Sequence, residues 1–409
     1  MTCPPPSPEV AATATAGLLT VLVDRLRGVS SPSDKATVAR AAMAAVAPRE
    51  TGAGGRLAAP IARLLELWAD ALVEKEEFRE AAVLLGKIDL DGAGPPPPDP
   101  DAPDGGPVPT DPVAWRLHIL VQIGRLYLES GDHLSAEETL RKGSVQALVR
   151  AVEDRHAAQR AALCAGSAAD DHASIACACH AGERAQLILY WSARAMCLDR
   201  RRKYLDSADG YLRLSRTPET DLVSEEEKDK SFRMACACVV LARADAGGRR
   251  ARLLADLAAD SRVAAQGALG VLVMRMGDPG GGLLLAPTPE EIAMLEEGLN
   301  DHQRTEDEPG GRSALVRSVQ AHNLDMVART FDRVSSRDLA SMMGCGATER
   351  DAEEAAAKWL GPADGEGARV DGVVREVVFR RYEPQSGGQL VASLCAGVEA
   401  LADHLEARG

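Results

Sequence analysis

Three stretches of this sequence can be laid over one another, and that register constrains the fold more than any other feature. Each stretch is a pair of segments with apolar residues at three- and four-residue spacing, the period of a helix packed along one face. The first pairs Arg56–Val73 with Glu77–Lys87, the second Val113–Leu128 with Leu134–Lys142, and the third Ala185–Leu198 with Tyr204–Leu214. In the second segments, Phe78, His133 and Tyr204 share a column, Ala81, Ala136 and Ser207 the next, and Leu85, Leu140 and Tyr211 a third. A column of small residues lets neighbouring helices approach closely, and a column of large ones fills the groove beside it. That is the packing logic of a TPR-like α-α superhelix. The columns recur after 55 residues and then after 71, so the repeats are degenerate. An irregular helical bundle is the alternative that the same periodicity allows.

Composition supports a mainly α chain. Apolar residues make up 45% but aromatics only 3%, so the core must be built from Ala, Leu and Val, which fill helices well. A β-sandwich or barrel would draw on more aromatic and β-branched residues. A length of 409 residues suits two or three domains or one extended array. Met1–Val10 carries no Lys or Arg, and the apolar run Ala11–Val23 ends at Asp24–Arg25, short of the roughly 20 residues that span a bilayer. No membrane role is expected, and the chain is expected to be soluble and intracellular.

Three segments interrupt the helical pattern: Gly92–Pro112, rich in Pro, Gly and Asp; Ala165–Gly182; and Gly277–Pro289. The expected organisation is therefore a disordered start over 1–14 and a helical-repeat solenoid over 15–288, with loops near 92–112, 165–182 and 277–289. A winged helix over 289–385 and a final helix over 386–409 follow. In the third part, Glu290–His302, Arg312–Ala321, Leu324–Phe331, Ser336–Met343 and Thr348–Leu360 read as helices, with Thr288, Ser335 and Thr348 as caps. Val370–Val374 and Glu376–Phe379 alternate like two strands around a tight turn, and helices followed by a hairpin give the order of a winged helix. The exposed edge of that hairpin, with Val377 and Phe379 on it, is a candidate for strand addition by a neighbour.

The final helix carries the sharpest seam. Val391, Leu394, Val398, Leu401 and Leu405 follow a 3, 4, 3, 4 spacing, an a/d stripe suited to packing along other helices. Just over two heptads are too few for a free coiled coil, so the expectation is a bundle shared with partner chains.

Catalytic patterns are missing from the sequence: it holds no HExxH, Walker A loop, GxSxG, His-x-His pair or glycine-rich dinucleotide turn. His172, Cys177, Cys179 and His180 put four possible metal ligands within nine residues, but Cys-x-Cys-His lacks the usual ligand gap, and no metal or cofactor is expected. The nine cysteines have no CxxC pair and read as free thiols, with Cys236 and Cys238 as small core residues. A net charge of −14 disfavours nucleic acid. The third helix of the winged module repeats the point, with Glu349, Asp351, Glu353 and Glu354 against Arg350 and Lys358.

Several stretches together carry a resemblance. They are the run from Arg250 to Arg262 (RARLLADLAADSR); His302-Gln303; Val316–Ala321 running into His322-Asn323-Leu324; Val370-Asp371-Gly372 followed by Val377-Val378-Phe379; Ser393-Leu394-Cys395 with Val398; and Arg201-Arg202-Lys203-Tyr204. In this order and spacing, from about 185 to 407, the chain resembles the PCI-domain family, and within it the scaffold subunits of the COP9 signalosome. The resemblance implies helical repeats running into a winged helix, and a non-catalytic scaffold in the cytoplasm and nucleus. It also implies that other signalosome subunits bind through the winged-helix edge and the C-terminal helix. A cullin-RING ligase, whose ubiquitin-like modifier the complex removes, would be received by the N-terminal solenoid. PCI scaffolds of the proteasome lid or of a translation initiation complex are the alternative.

Overall fold

The computed structural model describes residues 8–46, 57–95, 111–165, 170–218, 222–243, 248–278, 284–304, 312–359, 369–371 and 375–379. Within α1, α7, α8, α17 and β2, introduced below, side chains 8, 159–165, 170–182, 358–359 and 369–371 are outside that description. The described residues are overwhelmingly helical, and they divide into two compact units, Met1–Cys238 and Val239–Gly409. The sequence changes texture at Pro289, whereas the second unit begins at Val239.

The first unit is a succession of antiparallel helices: α1 (Pro8–Arg27), α2 (Pro32–Val46), α3 (Ala58–Val73), α4 (Phe78–Leu85), α5 (Pro112–Glu129), α6 (His133–Arg141), α7 (Gly143–Ala165), α8 (Asp170–Arg200), α9 (Tyr204–Ser215) and α10 (Glu225–Leu241), the last crossing the division. The three expected hairpins are α3–α4, α5–α6 and α8–α9. Phe78, His133 and Tyr204 are the first residues of the three returning helices. The small column is sealed, with Ala81, Ala136 and Ser207 each 0% exposed. Leu85, Leu140 and Tyr211 are buried beside it.

The three hairpins share one turn. Glu76, Gly131 and Arg202 all have positive φ, at 61°, 80° and 57°. The next amide closes the end of the preceding helix in each case: Glu77 N–H donates to the Leu72 carbonyl, Asp132 to Tyr127 and Lys203 to Leu198. This is a Schellman closure with a left-handed residue, the conformation glycine adopts without penalty. At α5–α6 the Leu140 side chain packs directly onto the Gly124 backbone, where a Cβ would stand 2.8 Å from Leu140 Cδ2.

The expected insertion over Ala165–Gly182 is corrected in part, since the backbone from Asp170 onward belongs to α8. Of Gly92–Pro112, residues 96–110 lie outside the described residues, and Asp111 caps α5 by accepting from the Ala114 amide.

The second unit begins within α10 and continues with α11 (Arg249–Ala258), a short 3-10 turn (Ser261–Gln266), α12 (Gly267–Met276), α13 (Pro289–Glu297), α14 (Asp301–Arg304), α15 (Ala314–Thr330), β1 (Arg333–Ser335), α16 (Ser336–Met343), α17 (Glu349–Trp359), β2 (Arg369–Asp371) and β3 (Glu376–Val378). Thr288 and Glu291 form a full capping box on α13. Three expectations change here. The helix expected over Glu290–His302 breaks after Glu297, where Gly298 caps α13. The two helices expected over Arg312–Ala321 and Leu324–Phe331 are one, because Asn323 turns its polar groups to other segments instead of competing for its own backbone. The wing is three-stranded in the order β1-β3-β2, antiparallel throughout, with Val377 opposite both Val334 and Val370.

Candidate interaction surfaces

In the first unit, polar side chains lock neighbouring hairpins to one another. Glu137 on α6 is 7% exposed, yet its carboxylate is well satisfied. Arg201 Nε donates to Oε2 at 3.2 Å, Arg141 Nη1 to Oε1 at 3.3 Å, and the Lys203 ammonium also binds Oε1. The Lys203 hydrogen bond beside Glu137 holds its carboxyl below the usual range. Arg200 Nη1 adds a 2.7 Å bond to the Leu128 carbonyl at the end of α5. Thus the Arg-Arg-Lys turn between α8 and α9, part of the resemblance in the sequence, fastens the third hairpin to the second.

Beneath that joint, Cys238 Sγ lies 3.6 Å from Asp199 Oδ1 and 3.7 Å from Ser207 Oγ, and Ser207 in turn donates to the Ala195 carbonyl at 2.8 Å. Burial and the nearby Asp199 carboxylate hold the Cys238 thiol well above its usual pKa. Burial likewise raises the Cys197 thiol to about 11. Cys197, Cys236 and Cys238 are all buried free thiols, as core residues would be. Nearer the start of the chain, Trp115 Nε1 donates to Glu66 Oε1 at 3.0 Å, and burial raises the Glu66 carboxyl to about 7.

The second unit has a polar joint of its own. Arg250, at the head of the resembling run, is 6% exposed and binds the last carbonyls of α10, Val239 at 3.1 Å and Val240 at 3.2 Å. A cation on those carbonyls satisfies acceptors that a helix end leaves open and complements its dipole. Ser318 on α15 also donates to the Val240 carbonyl. Asn323, 0% exposed, accepts from the Leu285 amide at 2.8 Å and donates to the Leu285 and Met343 carbonyls at 2.7 and 3.1 Å. Burial, then Arg250 and Arg329, bring His322 down to about 4, so it is neutral at physiological pH.

The module formed by α15, β1, α16, α17, β2 and β3 has its own core of Leu324, Val327, Leu339, Met343, Val377 and Phe379 among others. Val377 and Phe379, expected on an exposed edge, are 0% and 3% exposed. β3 is the inner strand, with both sides paired, so strand addition falls to β1 or β2 rather than to these side chains. Three of the four acids on α17 are held within the module: Glu349 by Arg375 at 2.8 Å, Asp351 by Arg312 at 2.5 Å, and Glu354 by Arg350 at 2.9 Å. Asp351 also takes the Thr348 hydroxyl and amide, which with Arg312 keeps its carboxyl below the usual range.

The seam residues Val391, Leu394, Val398, Leu401 and Leu405 lie outside the described residues. The backbone at His172, Cys177, Cys179 and His180 is in α8, and their side chains are likewise outside. Among the described residues no single helix is long and apolar enough to cross a membrane. The bent pair of α11 with the following 3-10 turn and α12 has the length and composition, with its leucines at 253, 254, 257, 269 and 272 buried within the unit. The joints around Glu137, Arg250 and Asn323 are the polar features that sequence reasoning missed. Their signal was a charged or amide residue set into an otherwise apolar helical face.

Hairpins in register, fastened by buried polar joints, with a winged-helix module later in the chain, define a helical-repeat protein. No protein-family model matches the chain. It is similar to proteins named COP9 signalosome complex subunit 4: it is 26% identical to the Emericella nidulans protein over 353 residues, covering 84% of this chain and 71% of the relative. The Drosophila melanogaster protein of that name is 26% identical over 72% of this chain and 61% of its own length. For the Arabidopsis thaliana protein the identity is 24%, over 82% of this chain and 72% of the relative. A match of 353 residues necessarily reaches into both compact units.

Proposed function

We propose that the chain is a non-catalytic scaffold subunit of a COP9 signalosome. Collinear similarity to subunit 4 from a fungus, a fly and a plant carries this reading. In this role the chain assembles with other signalosome subunits and supports removal of the ubiquitin-like modifier from cullin-RING ligases, leaving the chemistry to another subunit. Its repeats up to about residue 288 form the arm that receives the cullin-RING ligase. The winged helix over 289–385 and the helix over 386–409 join it to its neighbours in the cytoplasm and nucleus. A place in the proteasome lid or an initiation complex is not favoured, because these relatives are all signalosome subunits.

The test is a native pull-down of the tagged chain with mass spectrometry. Recovery of the remaining signalosome subunits, with cullins at lower yield, is the expected result. Recovery of proteasome base subunits without a signalosome isopeptidase would overturn the reading.

A further inference from the structure

The joint between the second and third hairpins carries more positive charge than it neutralises. Beside α6 and the α8–α9 turn lies a cleft of about 290 Å³, lined by Glu137, Arg141, Arg194, Cys197, Lys203 and Asp206 among others. With Arg201, which binds Glu137 from the same turn, four cations stand there against two carboxylates. The buried Glu137 carboxylate anchors Arg141, Arg201 and Lys203, yet their side chains remain 69%, 37% and 40% exposed. Arg194 is exposed as well, and its Nη1 reaches the Tyr190 hydroxyl at 3.3 Å. The cations are thus held in place by their inner contacts while their outer faces meet water. A guanidinium offers five donors in a planar fork that fits a carboxylate, so one inner bond leaves it able to make more. The buried Leu140 and Leu198 also line the cleft, offering apolar surface to a side-chain stem.

We propose that this cleft docks an acidic peptide segment of a partner protein, with two or more carboxylates set against Arg141, Arg194, Arg201 and Lys203. The local excess of positive charge runs against the net −14 of the whole chain. A short acidic segment needs only this local field, whereas a nucleic acid presents a continuous line of phosphates to an acidic protein and is repelled by the rest of it. The proposal deepens the scaffold reading by naming the chemistry of one partner. A pull-down can succeed while this binding fails, so the two are distinguishable.

Fluorescence anisotropy of the full chain with a labelled oligo-glutamate peptide tests it, beside a labelled single-stranded DNA of equal charge. Binding of the peptide is expected, weakening with added salt and falling by about tenfold or more in Arg141→Glu/Arg194→Glu, as loss of close charge pairs demands. The reversal Arg337→Glu, on α16 of the other unit, is expected to leave it unchanged. The milder Arg141→Gln/Arg194→Gln, checked for helicity by circular dichroism, gives the same reading should the reversed pair not fold. No peptide binding, equal binding by the folded variants, or DNA bound as tightly as the peptide would each overturn the proposal.

Discussion

Glu66 shows what burial does to a single carboxyl. Its folded-state pKa stands at about 7 against an ordinary 4.5 because most of its surroundings are protein, and the Trp115 indole only partly offsets that cost. The folded state therefore holds the proton more tightly than the unfolded chain. The stability this contributes is complete below about pH 4.5 and is lost as pH rises through about 7, roughly 3 kcal/mol by linkage. Glu66→Gln keeps an acceptor for Trp115 without the charge. Urea unfolding of the first unit is expected to show the variant more stable than the parent at pH 8 and nearly equal at pH 4.5. At Asn323 the reverse applies, since its amide satisfies three buried backbone groups. Asn323→Leu strands them, at about 3 kcal/mol. Amide exchange at Leu285 that accelerates by about a hundredfold would register the loss.

Among elements, the three hairpin turns separate backbone need from residue choice. All three require a left-handed residue, but only Gly131 supplies one without strain; Glu76 and Arg202 hold long side chains there. Gly131→Ala is expected to destabilise by about 1 kcal/mol, and Glu76→Gly or Arg202→Gly to stabilise by up to about 1 kcal/mol. Opposite signs in denaturant midpoints check the pair of claims, and equal signs would refute them. These turns also mark the limit of what was legible in the sequence. The periodicity of α3 to α6 and of α9 gave their hairpins to within a residue or two, because one apolar face must be buried whatever the partner. The left-handed turns were invisible at Glu76 and Arg202, where no glycine announced them. β1 was invisible for another reason. Three residues are too few to show a period, and Arg333–Ser335 is a strand because β3 pairs with it. That pairing turned the expected edge residues Val377 and Phe379 into core. The joint at Glu137 needed Arg201, 64 positions away, and the joint at the end of α10 needed Ser318, 78 positions from Val240, to be brought together in space.

At the scale of the whole molecule, the C-terminal helix is the expected point of attachment to partner chains. The tail seam at Val391, Leu394, Val398, Leu401 and Leu405 is read from spacing alone. A buried leucine contributes roughly 1.5–3 kcal/mol, and a desolvated charge adds a further cost. Leu394→Asp/Leu401→Asp is therefore expected to leave the helical content of the chain intact while removing it from the assembled complex. Size-exclusion chromatography of co-expressed subunits reads this directly, and normal co-elution of the double variant would show that the tail is not the anchor.

The buried thiols offer one more use of the structure. Cys197 Sγ lies 3.6 Å from the His133 carbonyl and Cys238 Sγ 3.6 Å from Asp199 Oδ1, and burial raises the pKa of both thiols. A soluble alkylating reagent attacks the thiolate, so Cys238, 0% exposed, reacts only when the hairpin above it swings away, while Cys197, which lines the cleft, reports on the cleft itself. Their alkylation rates, resolved peptide by peptide, form a clock for the breathing of the third repeat. Placed beside a partner, that clock would slow by the factor by which docking holds the repeat shut.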